Sequence, residues 1–369
     1  MTRVVLAPDS FKGTIAAADA ATALADGWVS VEPDAQFVHR PMADGGEGTV
    51  AAFEAAVPGT MRMPITVDGP AGTPVQTFWL LLPAREQTPQ GTAVIDLAST
   101  SGIELLDELR PWDAGTSGLG QAVAAAIDHG VSRVVVGIGS SASTDGGIGM
   151  LSALGARFLD SSGAPVVPGA RGLVEVSRVD LSGLRPAPEV RVLTDVTNPL
   201  TGPRGTAAVF GPQKGLTASD VPVVDAALER LAQLLDLDPQ TPGAGAAGGT
   251  GGALLAWGAT LAPGAGEVAR LIGVAEAIAD ADVVITGEGS FDGQSAAGKV
   301  PSFVAALAAR SATPVMLAAG RITADADIAL FTASASLIDL AGSADAALSE
   351  PARWLREAGA RLARSASRA

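Results

Sequence analysis

The chain has 369 residues, 47% of them hydrophobic, with no cysteine, two histidines and a formal charge of −15 at pH 7. That length suits two domains, and that apolar fraction suits folded rather than disordered chain. Disulfides, thiolate catalysis and cysteine-ligated metals are excluded, and an acidic surface of this size repels nucleic acid and anionic membrane.

Apolar, β-branched runs alternate with amphipathic stretches from one end to the other. A strand is predicted over 4–8, a helix over 15–29, a strand over 35–40 and a helix over 47–56. Extended segments follow at 61–67, 75–82 and 93–97, then a helix over 117–129, a strand over 133–138 and a helix beginning near 147. The rhythm continues with a strand over 190–194, helices over 221–235 and 246–257, a strand over 282–286, a helix over 301–309 and a strand over 314–318. Strands separated by crossover helices imply an α/β fold with largely parallel sheets.

Two turn-rich seams, VDGPAGTP at 67–74 and TLAPGAGE at 260–267, suggest domain crossings. They divide the chain into a discontinuous α/β domain, 1–68 plus 264–369, and an inserted α/β domain, 69–263, with an active-site cleft expected between the two. The tail ARSASRA is expected to fray. The opening MTRVVLAP reads as a buried strand rather than a signal peptide, and no apolar run has the length of a membrane span. A cytoplasmic protein is expected, with no membrane or nucleic-acid partner; the oligomeric state stays open between monomer and homo-oligomer.

His39 lies near a strand end and His129-Gly130 reads as the cationic stop of a helix, so both histidines are read as structural. The lysines say more. Of 24 basic side chains only Lys12 in DSFKG, Lys214 in GPQKG and Lys299 in AAGKVP are lysine, each among glycines and small polar residues. A compact ammonium suits phosphate without demanding the planar fork of arginine.

Ligands in doubly wound sheets sit beyond the carboxyl ends of strands, and five small-polar loops occupy such positions. APDSFKG carries Asp9, Ser10 and Lys12; PMADGGEG carries Asp44, Gly45, Gly46 and Glu47; GIGSSASTDGGIG at 137–149 carries Gly139, Ser140, Ser141, Ser143 and Thr144; TDVTNPLTG carries Asp195 and Asn198; ITGEGSFDGQSAAGK carries Glu288, Asp292 and Lys299. Taken singly, each could be an ordinary helix cap or turn. Together, two of them holding every lysine but Lys214, they are harder to explain that way.

Two motif matches fail on context. Gly243 to Gly248 fits G-x-G-x-x-G but follows DPQTP instead of a strand, with no acidic residue about 20 positions on to take a ribose. GQSAAGKV at 293–300 lacks the hydroxyl of a P-loop at Val300. Lys299 before Val300-Pro301 is instead a cation at a helix start, an unfavourable place unless an anion lies between them. Phosphoryl transfer needs amides and cations for phosphates, carboxylates for Mg²⁺ and a weak base, and neither histidine nor cysteine.

The blocks APDSFKGT, MADGGEGTV, GIGSSASTDGGIGM, TDVTNPLTGPRGTAAVFGPQKG, GAGAAGGTGGAL and VITGEGSFDGQSAAGKVP resemble, in order, those of the bacterial glycerate kinases. The resemblance spans essentially the whole chain. It implies ATP- and Mg²⁺-dependent phosphorylation of D-glycerate, commonly at the 2-hydroxyl to give 2-phosphoglycerate, by two α/β domains around a cleft. Carried over by position, it points to Asp9, Ser10, Lys12, Asp44, Gly45, Gly46, Asp195, Asn198, Lys214, Asp292 and Lys299.

The expected roles follow from chemistry. Gly139, Ser140, Ser141, Ser143 and Thr144, with the helix from Gly147, would bind ATP phosphates, joined by Lys214. Asp9, Ser10, Lys12, Asp195, Asp292 and Lys299 form the catalytic set. Lys12 and Lys299 would neutralise the transferring group or the glycerate carboxylate, and Asp195 and Asp292 would hold Mg²⁺ or accept the hydroxyl proton. Asp44, Gly45, Gly46 and Asn198 would bind the substrate. Ser140 stands where the family pattern has glycine, which puts in question a positive φ or a close backbone approach there, and Ser295 stands where it has threonine. The alternatives are a kinase of another small hydroxy acid or polyol, a non-catalytic nucleotide- or sugar-phosphate-binding regulator, and an NAD-dependent oxidoreductase, which the misplaced glycine fingerprint disfavours.

Overall fold

A computed structural model describes residues 1–46, 48–293 and 299–367, so Glu47 and Ser295 lie outside the described residues. In chain order the strands are β1 (Arg3–Pro8), β2 (Gln36–His39), β3 (Met61–Asp68), β4 (Pro74–Leu82), β5 (Thr92–Asp96), β6 (Arg133–Gly137) and β7 (Arg157–Leu159). They continue as β8 (Arg178–Asp180), β9 (Glu189–Leu193), β10 (Thr260–Ala262), β11 (Val283–Phe291), β12 (Val315–Ile322) and β13 (Ala333–Ser336). Helices connect most of them, and the protein is α/β with mostly parallel sheets.

The chain divides into two compact units: Met1–Asp44, Ala51–Pro58 and Ala265–Ala369 in one, Gly45–Val50 and Gly59–Gly264 in the other. The first unit is built on a five-stranded sheet of order β13-β12-β11-β1-β2 in which every pair is parallel. Val4, Val5 and Leu6 of β1 have no solvent exposure, as a central parallel strand covered on both faces requires. On one face the helices Ala17–Val29 and Pro351–Ala366 bury Leu24, Trp28, Leu355 and Leu362 against Val4 and Leu6. Leu355, Ala358, Leu362 and Ala363 recur at helical spacing on that buried side, so the segment expected to fray stays helical to Ala366.

The second unit holds a six-stranded sheet of order β10-β9-β6-β5-β4-β3 and a two-stranded β7-β8 hairpin. Strands β10, β9, β6 and β5 run parallel, and β4 and β3 are added antiparallel. The 67–74 seam is therefore a hairpin turn and not a crossing: β3 pairs with β4 from Met61↔Leu81 to Asp68↔Pro74, and Gly69 N–H donates to Thr73 O at 2.8 Å. A ladder of that length carries residues 61–68 into the second unit, whereas the sequence placed them in the first.

Two other elements differ from the pattern. The strand expected to stop at 286 runs on to Phe291, because Ser290↔Arg321 and Phe291↔Ile322 continue its pairing with β12 through a stretch rich in glycine. The single helix expected over 246–257 is a 3-10 turn, Ala246–Gly249, followed by the helix Thr250–Trp257, with Ala247 (φ 53°) and Gly248 (φ 70°) left-handed at the break. No helix among the described residues is long and apolar enough to cross a membrane.

Candidate functional site

In the first unit the ends of β1, β2 and β11 gather charged side chains. Asp9 follows β1, its backbone N–H donating to Gly287 O at 2.8 Å, which sets it beside Glu288 on the neighbouring strand. Both carboxylates are buried, 9% and 8% exposed. Burial, with the nearby negative charge of Asp44, pushes the Asp9 carboxyl up to about 7, against the opposing pull of the Ser10 N–H and Lys12. The Ser10 N–H donates to Asp9 Oδ1 at 2.6 Å. Lys12 is exposed, in the turn closed by the Phe11–Ile15 bridge.

Lys299 caps the helix Val300–Ala309, and its Nζ lies 3.5 Å from Asp292 Oδ1 and 3.9 Å from Glu288 Oε2. The cation expected at this helix start is thus held by two carboxylates. Its side chain is 41% exposed, so the pairing orients it more than it stabilises the fold. Asp9, Ser10, Lys12, Asp44, Asp292 and Lys299 all belong to this unit.

In the second unit the 137–149 loop follows β6. Only its tip is reachable: Ser140 is exposed and Gly139 partly so, while residues 141–150 are buried. Ser143 and Thr144 have no exposure, and Thr144 Oγ1 donates inward to Pro111 O at 3.2 Å. They do not present hydroxyls to a ligand, contrary to expectation. Nor does the helix start do so. The helix Ile148–Ala153 is short; the N–H groups of Gly147 (3.0 Å) and Gly149 (3.3 Å) donate to Asp145, and that of Met150 donates to Thr116 Oγ1 (2.9 Å). An internal anion already occupies the place assigned to phosphate.

What remains for an external anion is the tip. Ser140 adopts φ 58°, so serine takes the left-handed conformation that the substitution had put in question. The close approach falls one residue earlier: a Cβ on Gly139 would lie 2.4 Å from Gly46 Cα, and Gly139 N–H donates to Gly45 O at 3.2 Å. Gly45 and Gly46 are thereby scaffolding for the loop. Ile103 N–H donates to Ser140 O at 2.9 Å and Ala142 N–H to Ser101 O at 3.1 Å, clamping both sides. The N–H groups of Ser140 and Ser141 meet no acceptor among the described residues. Successive amides on a left-handed turn make a concave anion-binding nest.

Lys214 is 3% exposed, and its Nζ donates to Ser141 Oγ and to Ser143 O, both at 2.6 Å. Burial pushes this ammonium down to about 7, opposed by the charge of Asp145. It faces the loop and not solvent. Asp195, after β9, is exposed, with Oδ1 accepting the Gly264 N–H at 2.9 Å. Asn198 braces its own loop: Nδ2 donates to Arg204 O at 2.7 Å, and its backbone oxygen accepts from Gly243 (3.2 Å) and Gly245 (3.0 Å). Of the 243–249 glycines, Gly245 packs against this Asn198 loop, whereas Gly248 packs against the 137–149 loop, where a Cβ would lie 1.9 Å from Ser143 O.

Sequence reasoning missed Asp145 and Thr116 as the pin of this loop. The signal available was an aspartate two residues before the helix cap Gly147, in STDGG, the spacing at which a carboxylate reaches helix-start amides. Among the described residues no three acidic or histidine side chains converge to cage a metal. Mg²⁺ keeps several waters and is commonly held by one or two carboxylates plus phosphate oxygens, so exposed Asp195 and partly exposed Asp292 still fit it as single anchors.

The model of the glycerate kinase family matches residues 4–367. The chain is 41% identical to the Glycerate kinase of Bacillus subtilis (strain 168), over 88% of this chain and 86% of that protein. It is 40% identical to the Glycerate 2-kinase of Escherichia coli (strain K12), over 88% and 87% respectively. A crystal structure described as "putative glycerate kinase 2" from Salmonella typhimurium LT2 matches with a TM-score of 0.86 and 38% identity, covering 100% of this chain and 98% of that one.

Proposed function

The chain belongs to the glycerate kinase family and is a kinase, and from that premise we propose that it transfers the terminal phosphoryl group of ATP, with Mg²⁺, to D-glycerate, giving 2-phosphoglycerate. The observation that carries this reading is the presence at strand ends of the two groups that phosphoryl transfer needs. One is the Ser140–Ser141 amide nest. The other is the set Asp9, Lys12, Asp44, Glu288, Asp292 and Lys299.

The nest binds nucleotide phosphates through N–H groups that need no reorganisation. Asp9 accepts the proton of the glycerate hydroxyl: a carboxyl raised to about 7 is matched to that task near neutral pH. Ser10 keeps it oriented through the 2.6 Å bond to Oδ1. Lys12 and Lys299 offset negative charge on the transferring group or on the glycerate carboxylate, and Asp44, close enough to Asp9 to raise its carboxyl, contacts the substrate. Asp195 and Asp292 serve as anchors for Mg²⁺, which when bound neutralises charge on the phosphates. The cysteine-free, acidic chain suits the cytoplasm.

A coupled assay for ADP with D-glycerate, L-glycerate, glycolate and glycerol tests the acceptor, and ³¹P NMR of the product separates 2- from 3-phosphoglycerate. Turnover with D-glycerate and a 2-phospho product is expected. Faster turnover with glycolate or glycerol would assign the enzyme to another small hydroxy acid or polyol.

A further inference from the structure

A fully buried ammonium is unfavourable unless its bonds are well met, and an apolar side chain would fill the same space without that desolvation. Lys214 therefore needs a reason. It ends the 3-10 turn Pro212–Lys214, after which Gly215 (φ 97°) turns the chain away. Its Nζ donates twice to one loop, on either side of Ala142: to Ser141 Oγ and to Ser143 O, both at 2.6 Å. The acceptor at Ser143 has no exposure, so the ammonium grips the loop from its buried side.

The same loop holds Ser140 left-handed at φ 58°, a conformation that crowds the Cβ of an L residue. Such a conformation persists only where the surroundings over-determine it. Three devices do so: the Gly102–Ser141 bridge, the Asp145 pin, and Lys214. Only Lys214 binds the side chain of a nest residue and adds positive charge behind its amides.

We propose that Lys214 is the positioning residue of the phosphate loop: it holds Ser141 and Ser143 so that the Ser140 and Ser141 amides face an incoming triphosphate, and it does not touch the nucleotide. This rests on the reading that the loop tip binds nucleotide phosphates. Lysine is chosen because three donors on one compact head can satisfy two acceptors that a planar fork would not fit in a closed space.

The test uses the intact enzyme with K214M, S141A and the double variant. In K214M the KM for ATP is expected to rise ~10- to 100-fold, the scale of a hydrogen bond from a charged donor. The KM for D-glycerate should stay within ~2-fold, since the acceptor does not depend on this bond. The melting temperature should fall by no more than ~4 °C, because a buried charge leaves with the bonds. S141A should raise the same KM by less, and the double variant should match K214M. An unchanged KM for ATP in folded K214M, or additive effects of the two changes, overturns the proposal. If K214M fails to fold, S141A decides alone, an unchanged KM for ATP again being the overturning result. Serine-selective ¹⁵N labelling of the wild type separates the two ideas: Ser140 and Ser141 amides that shift on adding a non-hydrolysable ATP analogue support the loop reading even if the Lys214 result is negative. Amides that do not shift overturn both.

Discussion

The Asp145 carboxylate accepts both the backbone N–H of Thr116, at 3.0 Å, and its hydroxyl, at 2.8 Å, while that hydroxyl accepts the N–H of Met150 at 2.9 Å. With Gly147 and Gly149 also donating, a solvent-free anion ties the 137–149 loop to the residue before the helix Ser117–His129. Burial raises the carboxyl above its usual range, and the hydrogen bonds oppose that rise. Asp145→Asn turns an NH₂ toward groups that are themselves donors. Urea unfolding should show a loss of ~2–4 kcal/mol, the scale of stranding buried polar groups. Wild-type stability in D145N would remove Asp145 as the pin.

Asp9 sets the expected acid limb of activity. As a proton acceptor it works deprotonated, so kcat/KM should rise with pH through about 7 and level off above it. Asp9→Asn should lower kcat by ~100-fold or more and abolish that limb. A D9N enzyme with the wild-type limb would assign the base elsewhere.

Lys12→Ala and Asp195→Asn should each reduce kcat by at least ~100-fold with circular dichroism unchanged, the scale of losing an electrostatic contact to the reacting groups. Both side chains are exposed, so neither change disturbs a core. Unchanged turnover in both variants would refute the proposed catalytic set.

Neighbouring loop positions should respond in opposite directions. Gly139→Ala places a Cβ 2.4 Å from Gly46 Cα and 3.3 Å from Gly46 N, backbone atoms that cannot step aside cheaply. It should destabilise by ~1–3 kcal/mol and raise the KM for ATP. Ser140→Gly relieves the left-handed serine at φ 58° and should stabilise by ~0.5–1 kcal/mol, with the KM for ATP little changed. Equal melting temperatures for the two variants would contradict the geometry.

Lys214 leaves a signature in stability against pH. Its folded pKa, about 7, lies below the ordinary 10.5, so between those values the unfolded chain binds the extra proton and stability rises with pH. Below about 7 the penalty is full and constant. Asp145 is the charged group that moderates it. Asp9 acts oppositely: raised from 3.8 to about 7, it contributes stability at low pH that is lost as pH rises through that window. Melting temperatures from pH 7 to 10 should therefore climb more steeply in the wild type than in K214M. Parallel curves would mean that Lys214 is not buried as a cation.

Periodicity alone located most strands and helices, because a parallel strand needs a continuous apolar run and its crossover helix a 3.6-residue stripe, and both are local. It failed where pairing with a distant segment decides conformation. The glycine-rich end of β11 is strand because β12 lies beside it, and VDGPAGTP is a hairpin because β3 and β4 match in length. The tail beyond Arg361 is helical to Ala366 because Leu362 and Ala363 meet a core the sequence does not display.

Chemical identity at the site was legible in the same local way: scarce lysines, paired glycines and carboxylates at strand ends are choices visible residue by residue. Which of them face inward is not local. Only the folded backbone turned Ser143, Thr144 and Lys214 away from solvent and spent the Gly147 and Gly149 amides on Asp145, leaving the Ser140 and Ser141 amides without an acceptor among the described residues. The reason is that burial and hydrogen-bond satisfaction are settled among groups far apart in the chain, as Lys214 and Ser141 are.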